Sequence, residues 1–211
     1  MLFKIYLKLF KKLIKDKINK LIMIYKIEYK YSLIQKKSLC GAACLQTILF
    51  RKGIWIDQET LAKKLKINIL EKYKHAYSIK FPTVKKENSL LGIDLKNFSS
   101  KSFKTYLKKF NLNSEVHFYE NETILNIIIS ALKSDQDIIV NLKLTTFYPE
   151  SKTGHYVLIK SFDTRKNIIS FQDPDFENKS TWKCSAKKFL ESLSNKYDGE
   201  TRGICIIKPL L

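Results

Sequence analysis

The chain is poor in the residues that break or loosen structure, with 6 glycines and 4 prolines among 211 residues. Together with 45% hydrophobic residues, this excludes a disordered or low-complexity protein. Enough apolar mass remains for one ordinary domain, or one domain with an appendage. Arginine is scarce too: only Arg51, Arg165 and Arg202 occur, so lysine carries almost all of the formal net charge of +19. Readers of bases and phosphates favour the bidentate guanidinium fork, so a lysine excess argues against nucleic acid as a partner. The heavy use of Lys, Ile and Asn fits A/T-rich coding rather than a function. Cys40, Cys44, Cys184 and Cys205 form neither a CxxC pair nor a dense framework. That argues against a disulfide scaffold, a thiolate zinc site or a redox motif, and for free thiols in a reducing compartment. No apolar run approaches the ~20 residues that span a bilayer, and no glycine-rich phosphate loop is present.

What is there begins with a distinct segment. Residues 1–28 read as one basic amphipathic helix, separate from a domain over residues 29–211. Leu2, Tyr6, Leu9, Phe10, Leu13, Ile14, Ile18, Leu21, Ile22 and Tyr25 recur at three- and four-residue steps between lysines. The segment lacks the unbroken apolar core and small-residue cleavage site of a secretory signal. Such a helix lies on an anionic membrane surface, docks on a partner protein, or packs on its own domain with its lysines solvated. A cytoplasmic protein with a route to the membrane periphery is the matching expectation.

Beyond it, CGAACLQTILFRKG predicts a helix from about Cys40 that stops at Gly53. A second helix follows over about 57–65 with Asp57 as N-cap. Residues 68–95 have no clear period and read as loop with short elements. Ser99 or Ser100 can cap a helix to about Phe110, SEVHFYE alternates like a strand, and ETILNIIISALK reads as a further helix. DIIVNLKL, HYVLIKSF and NIISFQD read as strands, about 186–193 as a last helix and GICIIK as a final strand. Helices come first and strands mostly later. The expectation is an α+β fold in which N-terminal helices pack on an antiparallel sheet.

The segment Gln35–Lys36–Lys37–Ser38–Leu39–Cys40–Gly41–Ala42–Ala43–Cys44 carries the chemistry. A sulfur at a helix N-terminus meets unpaired backbone N–H groups and the positive end of the dipole, which favour the nucleophilic thiolate. Gly41 is expected to leave room for a substrate carbonyl beside that sulfur. The Gln35 amide, with the Cys40 N–H, can supply an oxyanion hole. Far along the chain, His155 opens a strand, and the return through NIISFQD brings Asp173 alongside it, 173 − 155 = 18 residues on. A carboxylate there fixes the tautomer and orientation of the imidazole.

These residues resemble the papain-like, bacteriocin-processing double-glycine leader peptidases, family thirty-nine of the cysteine peptidases. The likeness rests on Gln-x4-Cys-Gly-Ala-Ala-Cys, Gly-His-Tyr-Val and Gln-Asp-Pro, in order from about Ile34 to Lys208. It implies a papain-like fold, Cys40 as nucleophile, His155 as base, Asp173 as orienting acid and Gln35 in the oxyanion hole. It also implies a peptide or protein substrate and no metal or organic cofactor. Leu39 stands where that family commonly has Asp. A second resemblance, to the papain-like family called guanylyl-cyclase-like, rests on the Cys-Gly, Gly-His-Tyr and Asp-Pro motifs and on the tail from Cys184 to Ile207. Phytochelatin synthases and some aminoglycoside-pathway acyltransferases have a comparable Cys–His–Asp framework.

Three classes therefore stay open: a cysteine peptidase, an acyl or peptidyl transferase on the same framework, and a non-catalytic module that docks on a membrane or partner. Peptidase and transferase share an acyl-enzyme and differ in whether water or an amine resolves it. Elsewhere the plain reading holds. Cys44, one turn after Cys40, is core, with a regulatory disulfide as the alternative. His75 and His117 are structural or solvated, Asp163 and Asp175 are turn residues, and Trp55 and Trp182 are packing. The loop TTFYPESKTG is placed to line a cleft before His155.

Overall fold

The computed structural model describes residues 24–31, 33–85, 92–151, 154–175, 180–194 and 202–210. The expected amphipathic helix lies outside the described residues as far as residue 23. Its last turn is corrected: β1 (Ile24–Lys26) is a strand, paired antiparallel with residues 161–163. The same stretch continues into the core, where Ile27 and Tyr29 are buried and the Ile27 amide donates to Lys160 O at 2.8 Å. Alternate residues of this short stretch turn inward, a period of two that the flanking lysines disguised as helix. The domain thus begins no later than residue 24.

Helix α1 (Cys40–Arg51) and helix α2 (Gln58–Lys64) follow close to expectation. Gly53, in a left-handed conformation at φ 76°, ends α1, and Ile54 N closes back on Leu49 O at 2.9 Å. Asp57 caps α2 by accepting from the Thr60 amide at 2.8 Å. The unperiodic stretch holds short pieces, as expected: β2 (Ile69–Leu70) and β3 (Thr83–Val84) pair in parallel around a 3-10 turn. Ser100 caps α3 (Lys101–Lys108). Then come β4 (Leu112–Phe118), α4 (Thr123–Lys133), β5 (Asp137–Lys143), β6 (Gly154–Asp163) and β7 (Ile168–Gln172). The chain closes with β8 (Thr181–Ser185), α5 (Ala186–Ser194) and β9 (Gly203–Pro209). β8 stands beyond the elements the sequence predicts. TWKCS alternates with a period of two but is too short and polar to stand out from a loop.

The main sheet has the order β4-β9-β5-β6-β7-β8, every neighbouring pair antiparallel. β6 is long enough to pair first with β5 and then, past a register shift between Ile159 and Ser161, with β1. Central β5 is buried along six of its seven residues, which explains its unbroken Ile-Ile-Val run. α1 lies against β6 and β5, and α5 packs Phe189 on Phe171 of β7. The expected α+β arrangement of helices on an antiparallel sheet holds.

The far end of α1 is tied to this sheet by charge. Lys52 Nζ reaches Asp137 Oδ2 at 2.8 Å, Arg51 approaches the same carboxylate at 3.7 Å, and Arg51 also pairs with Asp135. Asp137 is fully buried at the start of β5; burial pushes its pKa up against the pull of the two cations. No described helix is long and apolar enough to cross a membrane.

Candidate active site

The turn that delivers Cys40 is tight. Leu39 N bonds back to Lys36 O at 3.0 Å, and Ser38 takes a left-handed φ of 61°, uncommon for a residue with a Cβ. Leu39 holds the N-cap position, and its fully buried side chain makes no capping hydrogen bond. No cap side chain therefore claims the first-turn amides beside the sulfur.

Gly41 has a different reason from the one expected. A Cβ there would meet Ile93 Cγ2 at 2.9 Å and the Tyr156 ring at 3.6 Å. The space is filled by protein, so this glycine lets α1 sit down on β6 rather than making room for a substrate carbonyl. Tyr156 secures the contact: its hydroxyl donates to Ile93 O at 3.1 Å, and Cys44 Sγ donates to Tyr156 O at 3.4 Å. Cys44 is a core residue, as expected.

His155 opens β6 and Asp173 lies one residue past β7, brought alongside by the register that sets Leu158 opposite Gln172. Both are buried, at 4% and 2% exposure, and His155 Nε2 is 2.7 Å from Asp173 Oδ1. Cys40, at the N-terminus of α1, acts electrostatically on the same ring. Burial alone would drive the His155 pKa down. The hydrogen bond to Asp173, the nearby Cys40 and the charge of Asp173 outweigh burial and raise it to about 10. Asp173 moves the other way: burial pushes it up, but His155, the Asp175 amide and Trp182 together hold it below the usual carboxylate range.

Two further groups fix that carboxylate. The Asp175 amide donates to Oδ1 at 2.9 Å, and the Trp182 indole donates to Oδ2 at 2.9 Å. Trp182 does pack as expected, between Phe147 and Phe171 at 5.0 and 4.3 Å centroid distance, but its N–H also reaches the acid. The signal available was the two-residue alternation of Trp182 and Cys184 opposite NIISFQ. Phe147, in the stretch before His155, meets the Trp182 ring whose N–H holds Asp173.

Gln35 stands on an extended segment before the turn. Its amide N–H donates to Pro174 O at 2.8 Å, so it is tied to the residue after Asp173. The side-chain Oε1 is buried without a hydrogen-bond partner in the fold. The four expected site residues are thus gathered on α1, its preceding turn and the ends of β6 and β7.

The other singled-out residues fall elsewhere. His75 is on an exposed 3-10 turn, and His117 pairs with Glu115 at 3.0 Å. Among the described residues no group of three or more His, Cys, Asp or Glu could hold a metal ion. Asp163 accepts from the Arg165 and Lys166 amides as a turn residue. Trp55 is not core: 64% exposed, it meets Phe50 edge-on at 5.5 Å.

An imidazole hydrogen-bonded to a carboxylate and within electrostatic reach of a cysteine can carry that sulfur's proton and return it to a leaving group. The model of the Peptidase_C39-like family matches residues 25–200 of the chain. Among solved structures, the chain is similar to the peptidase domain of Streptococcus ComA, a bi-functional ABC transporter involved in a quorum sensing pathway. Identity is 16% and TM-score 0.48, over 88% of this chain and 98% of that one. It is also similar to a double glycine motif protease from an AMS/PCAT transporter in complex with the leader peptide. Identity there is 16% and TM-score 0.47, over 87% and 94% of the two chains. No curated protein matches. The chain belongs to the Peptidase_C39-like family of papain-like cysteine peptidases.

Proposed function

We propose that this cysteine peptidase cleaves a peptide bond through a Cys40–His155–Asp173 triad and a covalent acyl-enzyme. The observation that carries the reading is the buried His155 ring, 2.7 Å from Asp173 and within electrostatic reach of Cys40. The Cys40 sulfur, its proton held on His155, attacks the scissile carbonyl carbon. The C=O electron pair moves onto oxygen, where the Gln35 amide and the Cys40 backbone N–H stabilise the charge. Collapse breaks the C–N bond as His155 gives its proton to the leaving amine. Water, deprotonated by His155, then attacks the thioester and frees the acid and the thiol. Asp173, doubly anchored by Trp182 and Asp175, keeps the ring oriented throughout.

The substrate is a peptide, and the double-glycine leader class suggested by the sequence motifs is the first to test. A peptide-library cleavage profile supplies the test, with Cys40→Ala as control. Cleavage that disappears in Cys40→Ala supports the reading, and cleavage that persists overturns it. Ligated product on adding an amine acceptor would assign the same acyl-enzyme to transfer instead. Residues 1–23 add a basic amphipathic sequence that suits docking on an anionic membrane surface.

A further inference from the structure

Gln35 Oε1 has no hydrogen-bond partner, yet the backbone around Gln35 is held from both sides, on one of them by a residue that no motif singles out. Gln58, at the first turn of α2 and only 7% exposed, bridges the residues flanking it. Gln58 Nε2 donates to Ile34 O at 2.7 Å, and Gln58 Oε1 accepts from the Lys36 amide at 2.8 Å. One side-chain amide thereby pairs with the chain as a neighbouring strand would. On the opposite edge, Gln35 N donates to Pro174 O at 2.8 Å. Gln58 is itself braced: Nε2 also donates to Gln46 Oε1 at 3.0 Å, and buried Gln46 donates to Ile56 O at 2.8 Å. The next residue, Glu59, is buried and adds a second tie. It pairs with Lys36 Nζ and accepts the Ser78 and Ile79 amides at 2.8 and 3.2 Å.

We propose that Gln58 is a positioning residue for the oxyanion hole, acting through the backbone of residues 34–36 to aim the Gln35 amide. The inference rests on reading Gln35 as an oxyanion donor. Its physical basis is steep: a hydrogen-bond donor misplaced by about 1 Å costs on the order of a hundredfold in rate. A flexible extended segment does not hold such a tolerance by itself.

Two reactions of Cys40 separate this role from a merely structural one. Iodoacetamide alkylates sulfur by displacing iodide and develops no oxyanion. p-Nitrophenyl acetate acylates sulfur by attack at the ester carbonyl, expels p-nitrophenolate and requires one. Each rate is measured on the full chain and corrected for lysine background with Cys40→Ala. Gln58→Leu is expected to slow acylation about tenfold or more while alkylation stays within twofold. Gln58→Glu keeps an acceptor for the Lys36 amide but loses both donations, and is expected to show the same split, less severely. On a Gln35→Ala background, Gln58→Leu should add less than twofold, because the donor it aims is already gone. Unchanged acylation in both Gln58 variants, an equal fall in both reactions, or full additivity with Gln35→Ala overturns the proposal. If Gln35→Ala alone leaves acylation unchanged, the oxyanion reading itself fails, a result separable from failure of the clamp.

Discussion

The Trp182 indole N–H donates to Asp173 Oδ2 at 2.9 Å, while the other oxygen of that carboxylate lies 2.7 Å from His155 Nε2. The carboxylate that meets the imidazole is therefore itself held, by a strand the sequence pattern hid. Trp182→Phe keeps the ring between Phe147 and Phe171 and removes only the N–H. A hydrogen bond to a charged group contributes about 1.5 kcal/mol or more, so turnover is expected to fall roughly tenfold with little change in fold. Peptide turnover and circular dichroism, compared with wild type, check this. Full activity in Trp182→Phe would make the contact incidental.

The two buried partners titrate in opposite directions, which sets a pH window. His155 is raised from 6.5 to about 10, so its contribution to stability is complete below about pH 6.5 and is lost as pH rises through about 10. Asp173 is held below its ordinary value of 3.8, so its contribution is present above about pH 3.8 and is lost as pH falls through the lowered value. The stability difference between wild type and a His155→Gln/Asp173→Asn variant should peak between those bounds and shrink on both sides. Urea melts from pH 3 to pH 10.5 measure it. A difference that grows above pH 8 contradicts the assignment.

Thiol reactivity should be confined to one position. Burial pushes Cys44 and Cys205 up strongly and Cys184 to about 12, whereas Cys40 is partly exposed at the N-terminus of α1 and interacts electrostatically with His155. Brief treatment with iodoacetamide at pH 7 is expected to give a single adduct, on Cys40 by peptide mass mapping. The rate should drop at least tenfold in His155→Ala. Labelling of Cys184 at a similar rate would refute the contrast.

Gly41→Ala forces a methyl against Ile93 Cγ2, 2.9 Å away, where α1 meets β6. Overpacking of this kind costs about 1–3 kcal/mol. Removing the obstructing atoms with Ile93→Ala should make the double variant less destabilised than the sum of the two singles. Chemical denaturation of the four proteins reads the coupling, and strict additivity would show that the contact does not limit this residue.

For the basic N-terminal sequence, the informative truncation ends at residue 23, since removal to 28 would also strip β1 and buried Ile27. The full chain is expected to sediment with phosphatidylserine vesicles, to release at high salt and to ignore phosphatidylcholine vesicles. The truncated chain should stay in the supernatant. Equal sedimentation of both chains would remove the segment from any membrane role.

Much of this was legible because the deciding signals are local. Gly53 and Asp57 mark helix ends by backbone geometry and capping, and the apolar runs of β5, β6 and β9 declare buried strands. Cys40, His155, Asp173 and Gln35 could be picked by residue type and motif. What stayed hidden depends on partners distant in sequence. Gly41 is small because Ile93 and Tyr156 abut it, Trp182 matters because β8 lies beside β7, and Gln58 matters because α2 crosses residues 34–36. β1 was lost among lysines because three residues are too few to display a period against a helical background.

The buried carboxylate of Asp137 locks the trailing end of α1 to the sheet through Lys52 and Arg51. With twelve residues rising 1.5 Å each, that lock sits about 18 Å from the sulfur along a stiff rod. Random mutagenesis scored by peptide cleavage should therefore find a sensitive spot at Asp137, at the opposite end of α1 from Cys40, because a slipping rod would carry the thiol of the proposed triad out of alignment with His155.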